Sequence, residues 1–151
     1  SAIRAAIMEE EVARARRLLG RPFRVHGEVI HGAHLGRAIG YPTANFLPPN
    51  DLVPLADGIY ASYAYLPGAP DARPSMTYVG TRPTVDSGAR QVETHIFDFD
   101  GDLYGQMLHV EVIERLRGDQ KFASLDELIE QLGKDEQAAR SVLQADAQAA
   151  P

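Results

Sequence analysis

The sequence contains no cysteine. That one absence excludes disulfide frameworks, zinc ribbons, iron–sulfur clusters and a thiol nucleophile together. No apolar run approaches the ~20 residues that a membrane-spanning helix needs. The N-terminus lacks the basic, apolar and small-residue order of a secretion signal. Neither Asn45 nor Asn50 stands in an N-x-S/T context, so nothing points to a glycosylated, secreted chain. Basic residues are outnumbered, 15 Lys and Arg against 21 Asp and Glu, for a net charge of −6. An acidic domain without a long basic run is a poor electrostatic match to a nucleic-acid backbone. Motifs are missing as well. There is no G-x-G-x-x-G and no Walker-type loop, since the one Gly-Lys pair, Gly133-Lys134, is followed by Asp135. The five histidines lack H-E-x-x-H spacing, and His31-Gly-Ala-His34 lacks the second glycine of a nucleotidyltransferase H-x-G-H. What remains is a cytoplasmic protein of small-ligand chemistry, with neither nucleic acid nor membrane as partner. Its 151 residues suit one domain that buries about 70% of its unfolded surface without a staple.

The texture of the chain changes twice. In residues 1–20, Met8, Val12, Ala15 and Leu19 fall on one face of a 3.6-residue period, which predicts a helix stopped by Gly20 and Pro22. The chain begins at Ser1, as a piece excised from a longer polypeptide would. From Phe23 to Leu116 the pattern is of short strands with glycine and proline punctuation: Phe23–His31, Thr43–Phe46, Ile59–Leu66, Met76–Val79, Val92–Phe97 and Met107–Leu116. About six short strands without intervening helices predict a closed antiparallel barrel. The C-terminal part is helical again. Ser124-Leu-Asp-Glu127 reads as a capping box, followed by Leu125, Leu128, Ile129 and Leu132 at helical spacing. Gly133 predicts the end of that helix, and Asp135 the cap of a second one to about Ala145.

Three segments carry candidate chemistry. In Gly32–Phe46, three glycines (Gly32, Gly36, Gly40) leave the backbone free to approach an anion, and Arg37 adds a charge-assisted contact. Pro42-Thr43-Ala-Asn45 follows, and residues i and i+2 of a strand share a face. A hydroxyl and an amide oxygen side by side are hard, neutral ligands for Mg²⁺ when phosphates complete its shell; equally, Thr43 and Asn45 are ordinary turn formers. In Val92–Phe97, alternation puts Glu93, His95 and Phe97 on one face. A carboxylate in a mainly apolar strand is the best general base in the chain, or the partner of a nearby arginine. Third, Leu116–Ser124 brings Arg117, Lys121 and Phe122 onto a loop, as a phosphate and ring clamp or as a plain connector.

Taken together and in order, these segments resemble the riboflavin kinase (flavokinase) family, above all the C-terminal module of bacterial bifunctional riboflavin kinase/FAD synthetases. The resemblance lies in Gly27-Glu-Val29-Ile-His-Gly32, Leu35-Gly36-Arg37, Ile39-Gly40-Tyr-Pro42-Thr43-Ala-Asn45, Asp57-Gly58-Ile59-Tyr60-Ala61 and Tyr78-Val-Gly80-Thr81-Arg82-Pro83-Thr84. It continues through Val92-Glu93-Thr-His95-Ile-Phe97-Asp98, Asp102-Leu-Tyr104-Gly105, Leu116-Arg117 and Lys121-Phe122. It implies a mainly β fold, a six-stranded antiparallel Greek-key barrel over about 23–116, with helices over about 124–146. Residues 21–151 would be the kinase domain and residues 1–20 the linker helix to an adenylyltransferase module upstream in the native chain. It implies phosphorylation of the riboflavin 5′-hydroxyl by Mg²⁺-ATP, giving FMN and ADP. Glu93 would be the catalytic carboxylate, and Thr43 and Asn45 the metal and phosphate ligands. Gly32, Arg37, Pro42, Ile96, Asp98 and Tyr104 would complete the ATP site, with Arg117 and Phe122 on the flavin side. The alternative is a non-catalytic module that binds flavin or nucleotide and regulates.

Overall fold

A computed structural model describes residues 23–31, 35–47, 55–81 and 90–149 of the chain. The helix expected over residues 1–20 and the candidate Gly32 lie outside these residues. The elements are β1 (Phe23–Glu28), α1 (Leu35–Ala38), β2 (Ala44–Phe46), β3 (Gly58–Tyr65), β4 (Arg73–Thr81), β5 (Arg90–Ile96), β6 (Met107–Arg117) and α2 (Leu125–Ala149). All strand pairs are antiparallel, in the order β1-β6-β3-β4-β5-β2. β3, β4 and β5 are successive neighbours, and β6 returns to lie beside β3, which is the Greek-key arrangement. The sheet curls until its edges meet: the Ile30 amide donates to the Asn45 carbonyl at 2.7 Å in an antiparallel bridge. Joining the edges leaves few unpaired strand groups for another chain to add to.

Alternation sorts the side chains into two apolar clusters. Val25, Phe46, Tyr60, Val79, Val92, Ile96, Val110 and Val112, drawn from all six strands, fill the interior. Among them a chain of buried hydroxyls runs Ser75–Ser62–Thr77–Thr94, with steps of 2.7, 2.8 and 3.0 Å. These groups satisfy one another, so their burial carries no unpaired polar atom. On the outside, Ile59, Ala61, Met76, Phe97 and Ile113 form a second cluster with Ala139 and Leu143 of α2. At the start of β3, a Cβ on Gly58 would stand 2.3 Å from the Arg117 carbonyl, so only glycine lets β3 and β6 approach there.

The strands follow the sequence pattern closely, with one clear extension. β4 begins at Arg73 rather than Met76 and takes in Pro74, whose carbonyl accepts a hydrogen bond from the Phe97 amide at 3.0 Å. Proline is tolerated near a strand start, where its missing N–H costs no ladder bond. The C-terminal helix differs more. Ser124 caps the helix, its Oγ accepting from the Glu127 amide at 3.2 Å, while the Glu127 carboxylate reaches back one residue further than a capping box, to the Ala123 amide at 3.0 Å. α2 then runs unbroken through Gly133 to Ala149. One interior glycine costs only about 1 kcal/mol against alanine, and Asp135 does not cap, because its carboxylate is held from across the fold. The expected apolar face is also displaced: Leu125 and Ile129 are exposed, and the buried positions of α2 are Asp135, Ala139 and Leu143.

Candidate active site

The glycine segment folds first as a local unit. α1 ends with Gly40 at φ 91°, the Tyr41 amide on the Gly36 carbonyl at 2.7 Å, and the Gly40 amide on the Arg37 carbonyl at 3.4 Å. This is a Schellman closure, which requires a left-handed residue and hence glycine at position 40. Its consequence is chemical. The amides of Ile39, Gly40 and Tyr41 are all spent on the carbonyls of Gly36 and Arg37, so this end of the loop offers no open nest for an anion. Arg37 stands exposed on α1.

Beyond Tyr41 the chain enters β2, and the register of β2, β5 and β4 lays out the centre of the site. Asn45 lies directly opposite Glu93, and Glu93 directly opposite Tyr78. Directly opposed residues share a face with Cβ atoms about 5 Å apart, so amide, carboxylate and phenol form one row on the outside of the barrel. Asn45 is buried, and its Nδ2 donates to the Thr43 carbonyl and to Thr43 Oγ1, both at 3.3 Å. That orients Asn45 Oδ1 away from Thr43. Glu93 is half-buried rather than enclosed, so its carboxylate keeps access to solvent. Tyr78 in turn donates to Asp119 Oδ2 at 2.9 Å, which ties the loop after β6 to the row.

A second row runs beside the first. His95, two residues from Glu93 and on the same face, places Nδ1 2.7 Å from the Pro42 carbonyl. It meets Tyr41 edge-to-face at 5.3 Å and Phe97 at 5.7 Å, and the Arg140 guanidinium lies 4.5 Å from the Phe97 ring centroid. Burial pushes the Tyr41 hydroxyl pKa up, helped by the carboxylates of Glu136 and Asp135. Arg140 also pairs with Glu136 at 2.8 Å and with Asp98 at 3.3 Å. Asp98 holds a left-handed φ of 56° at the end of β5.

The flavin-side candidates come together at the junction of β6 and α2. Arg117 donates from Nε and Nη2 to Asp135 at 2.8–3.1 Å and from Nη1 to the Gly118 carbonyl at 3.0 Å, with Phe122 5.7 Å away. Gln131 adds a bond to Asp135 at 2.9 Å. Tyr104 stacks on His31, ring centroids 3.8 Å apart, at the other end of β1. Ile96 points its side chain into the interior cluster and is paired with Ser75 of β4.

Pro42, Thr43, Asn45 and Glu93 are thus gathered at one place, Arg117 and Phe122 at a second, and Tyr104 with His31 at a third. Sequence reasoning missed Tyr78, Asp119 and Asp135, and gave His95 no role. The parity of β5 marks His95 as a companion of Glu93, but nothing local marks the other three. Among the described residues no group of three or more His, Cys, Asp or Glu side chains could hold a metal ion. Asn45 turns Nδ2 rather than Oδ1 toward Thr43 here, so the two oxygens suit a hard divalent cation sharing its shell with phosphate and water only once the Asn45 amide rotates to bring Oδ1 beside Thr43 Oγ1.

Comparison with known proteins gives this geometry a family. The riboflavin kinase (flavokinase) family model matches residues 19–143. The bifunctional riboflavin kinase/FMN adenylyltransferase of Escherichia coli K12 is 42% identical over 140 residues, covering 93% of this chain and 44% of that protein. The chain therefore spans less than half the length of that relative. A riboflavin kinase structure from Trypanosoma brucei superposes with a TM-score of 0.60 at 27% identity, covering 82% of this chain and 80% of that one. A Streptococcus pneumoniae structure described as a macrolide-efflux protein superposes at 0.84 with 38% identity, covering 92% of this chain and 45% of that one. By the family match and the Trypanosoma superposition alike, the chain belongs to the riboflavin kinase family.

Proposed function

We propose that this chain transfers the γ-phosphoryl group of ATP to the 5′-hydroxyl of riboflavin, giving FMN and ADP, with Mg²⁺ as the divalent ion. The observation that carries the reading is the register pair Asn45–Glu93 with Thr43 hydrogen-bonded to Asn45. It sets Asn45 and a carboxylate opposite one another on one face of adjacent strands, with Thr43 beside them. Thr43 Oγ1, and Asn45 Oδ1 after rotation of its amide, would hold the ion with the nucleotide phosphates, and the ion would supply charge neutralisation there. Phosphoryl transfer asks the protein mainly for positioning and electrostatics.

Glu93 accepts the proton of the attacking hydroxyl as the new P–O bond forms and the bond to the ADP oxygen breaks. A base of this kind contributes ~10²–10⁴-fold in rate. Arg37, Pro42, Asp98, Tyr104 and the main chain at Ile96 belong to the nucleotide side, together with Gly32. Arg117 and Phe122 serve the flavin side; Arg117 has N–H groups beyond those bound to Asp135 and Gly118 with which to do so. The E. coli relative's second activity supports an adenylyltransferase module upstream in the native chain, joined through residues 1–20. With ATP as donor, the reaction belongs in the cytoplasm.

The test is direct. The chain is incubated with riboflavin, ATP and Mg²⁺, and the flavins are separated by chromatography with fluorescence detection. FMN without FAD is the expected product. Retained flavin binding without FMN would replace this reading with the non-catalytic binding module.

A further inference from the structure

The ladder between β2 and β5 stops at Ala44, which faces Thr94. Continued in register, the next residues would be Thr43 opposite His95 and Pro42 opposite Ile96. Proline has no N–H and cannot carry a ladder onward. Thr43 therefore lies outside the ladder while Asn45 stays within it, and among the described residues no backbone donor meets the Pro42 carbonyl. A side chain takes that place. His95 Nδ1 lies 2.7 Å from Pro42 O, and a carbonyl oxygen only accepts, so Nδ1 carries the proton and donates.

The imidazole is itself held by two aromatic neighbours. Tyr41 and Phe97 both meet it in T-shaped contacts, with the Arg140 guanidinium over the Phe97 ring. Tyr41 is anchored by its amide bond to the Gly36 carbonyl. The ring is thus held between the start of the Thr43–Asn45 segment and α2, on the face that presents Glu93 two residues away.

We infer that His95 is the positioning residue of the phosphate-side site: its Nδ1–H, donated to Pro42, sets the place of Thr43 against the ladder pair Asn45–Glu93. This rests on the kinase reading above and adds to it a residue that touches neither substrate nor the reacting atoms. His95 acts through Pro42 on Thr43. The effect belongs to Mg²⁺-nucleotide binding and to the alignment of Glu93, and it leaves the Arg117–Phe122 side untouched.

Three substitutions separate this role from simple packing. Asn places its amide N–H near the position of the imidazole Nδ1, whereas Gln places its own near Nε2. His95→Gln and His95→Ala should weaken Mg²⁺-ADP binding, measured by calorimetry, by roughly five- to tenfold, the range of one neutral hydrogen bond. They should raise the KM for Mg²⁺-ATP by a similar factor and leave the KM for riboflavin within about twofold. His95→Asn should restore both nucleotide parameters. Long-range ¹H–¹⁵N spectra of the unliganded protein should show the Nδ1–H form of His95, a readout that needs no turnover. Equal behaviour of the Asn and Gln variants, a riboflavin KM that moves with that of Mg²⁺-ATP, or the Nε2–H form would each overturn the inference. Wild-type protein that makes no FMN would instead overturn the kinase reading on which it stands.

Discussion

Asp135 is the least exposed carboxylate of α2, at 3%, and its partner Arg117 is 17% exposed. Three bonds from Arg117 and one from Gln131 satisfy it. Replacing Arg117 by Leu removes three of these bonds and leaves a negative charge in the seam between β6 and α2. Losing one partner of a buried pair costs about 3–5 kcal/mol. Because Arg117 keeps some contact with water, the lower end applies, about 3 kcal/mol. For a chain of this length each kcal/mol moves Tm by about 2–4 °C, so the loss should be roughly 6–12 °C. Replacing both residues, Arg117→Leu with Asp135→Leu, removes the stranded charge and should recover most of that loss, since an apolar pair of similar volume is commonly neutral or better. Thermal and urea unfolding followed by circular dichroism reads all three proteins. A single variant that loses less than about 1 kcal/mol, or a double variant no better than the single, refutes the account of Asp135 as a buried anchor of α2.

Further outcomes follow from other parts of the structure. Thr43→Ala and Asn45→Ala should each raise the Mg²⁺ concentration needed for half-maximal turnover, by about tenfold if an oxygen ligand is lost; an unchanged titration removes them as ligands. Gly133→Ala should stabilise the protein by about 0.5–1 kcal/mol, because α2 is continuous there and the added Cβ meets only the Tyr41 hydroxyl, at 3.7 Å; a lower Tm would show that this contact is not tolerated. His109, stacked on His26 at 5.1 Å beside Arg24, Glu111 and Tyr65, has its pKa lowered from 6.5 by burial and by the charges of His26 and Arg24. The unfolded chain then binds this proton more readily, so stability falls as pH drops through 6.5 toward the folded-state value. His109→Asn should flatten that part of the stability–pH curve, and an identical slope would sink the assignment.

Much of the fold could be read in the chain because the strands alternate cleanly and their turns are marked by glycine and proline. The misreadings have local causes. Pro74 reads as a turn residue, yet it stands near a strand start where its missing donor is harmless. Asp135 after Gly133 reads as a helix cap, but its carboxylate is spent on Arg117, which is distant in sequence and adjacent only once β6 and α2 pack. The site divides the same way. Thr43, Asn45 and Glu93 were legible because each rests on a period of two within a short strand. Tyr78 and Asp119 were not, because their meeting depends on the β4–β5 register and on the path of the loop after β6. The glycine loop was legible as a place but not as a device. Glycines that suit an open anion nest suit a Schellman closure equally, and only the hydrogen bonds of residues 36–41 decide between them.

In the proposed reaction Thr43, Asn45 and Glu93 carry phosphoryl transfer to riboflavin, with Glu93 as the base. Glu93→Gln tests it most directly, since the amide keeps size and hydrogen bonding and loses the ability to take a proton. FMN formation by the variant and the wild type is compared at saturating riboflavin and Mg²⁺-ATP, with Mg²⁺-ADP binding measured in parallel. Nucleotide binding should be unchanged and turnover lower by at least ~10²-fold. Near-normal turnover with intact binding would contradict Glu93 as the base.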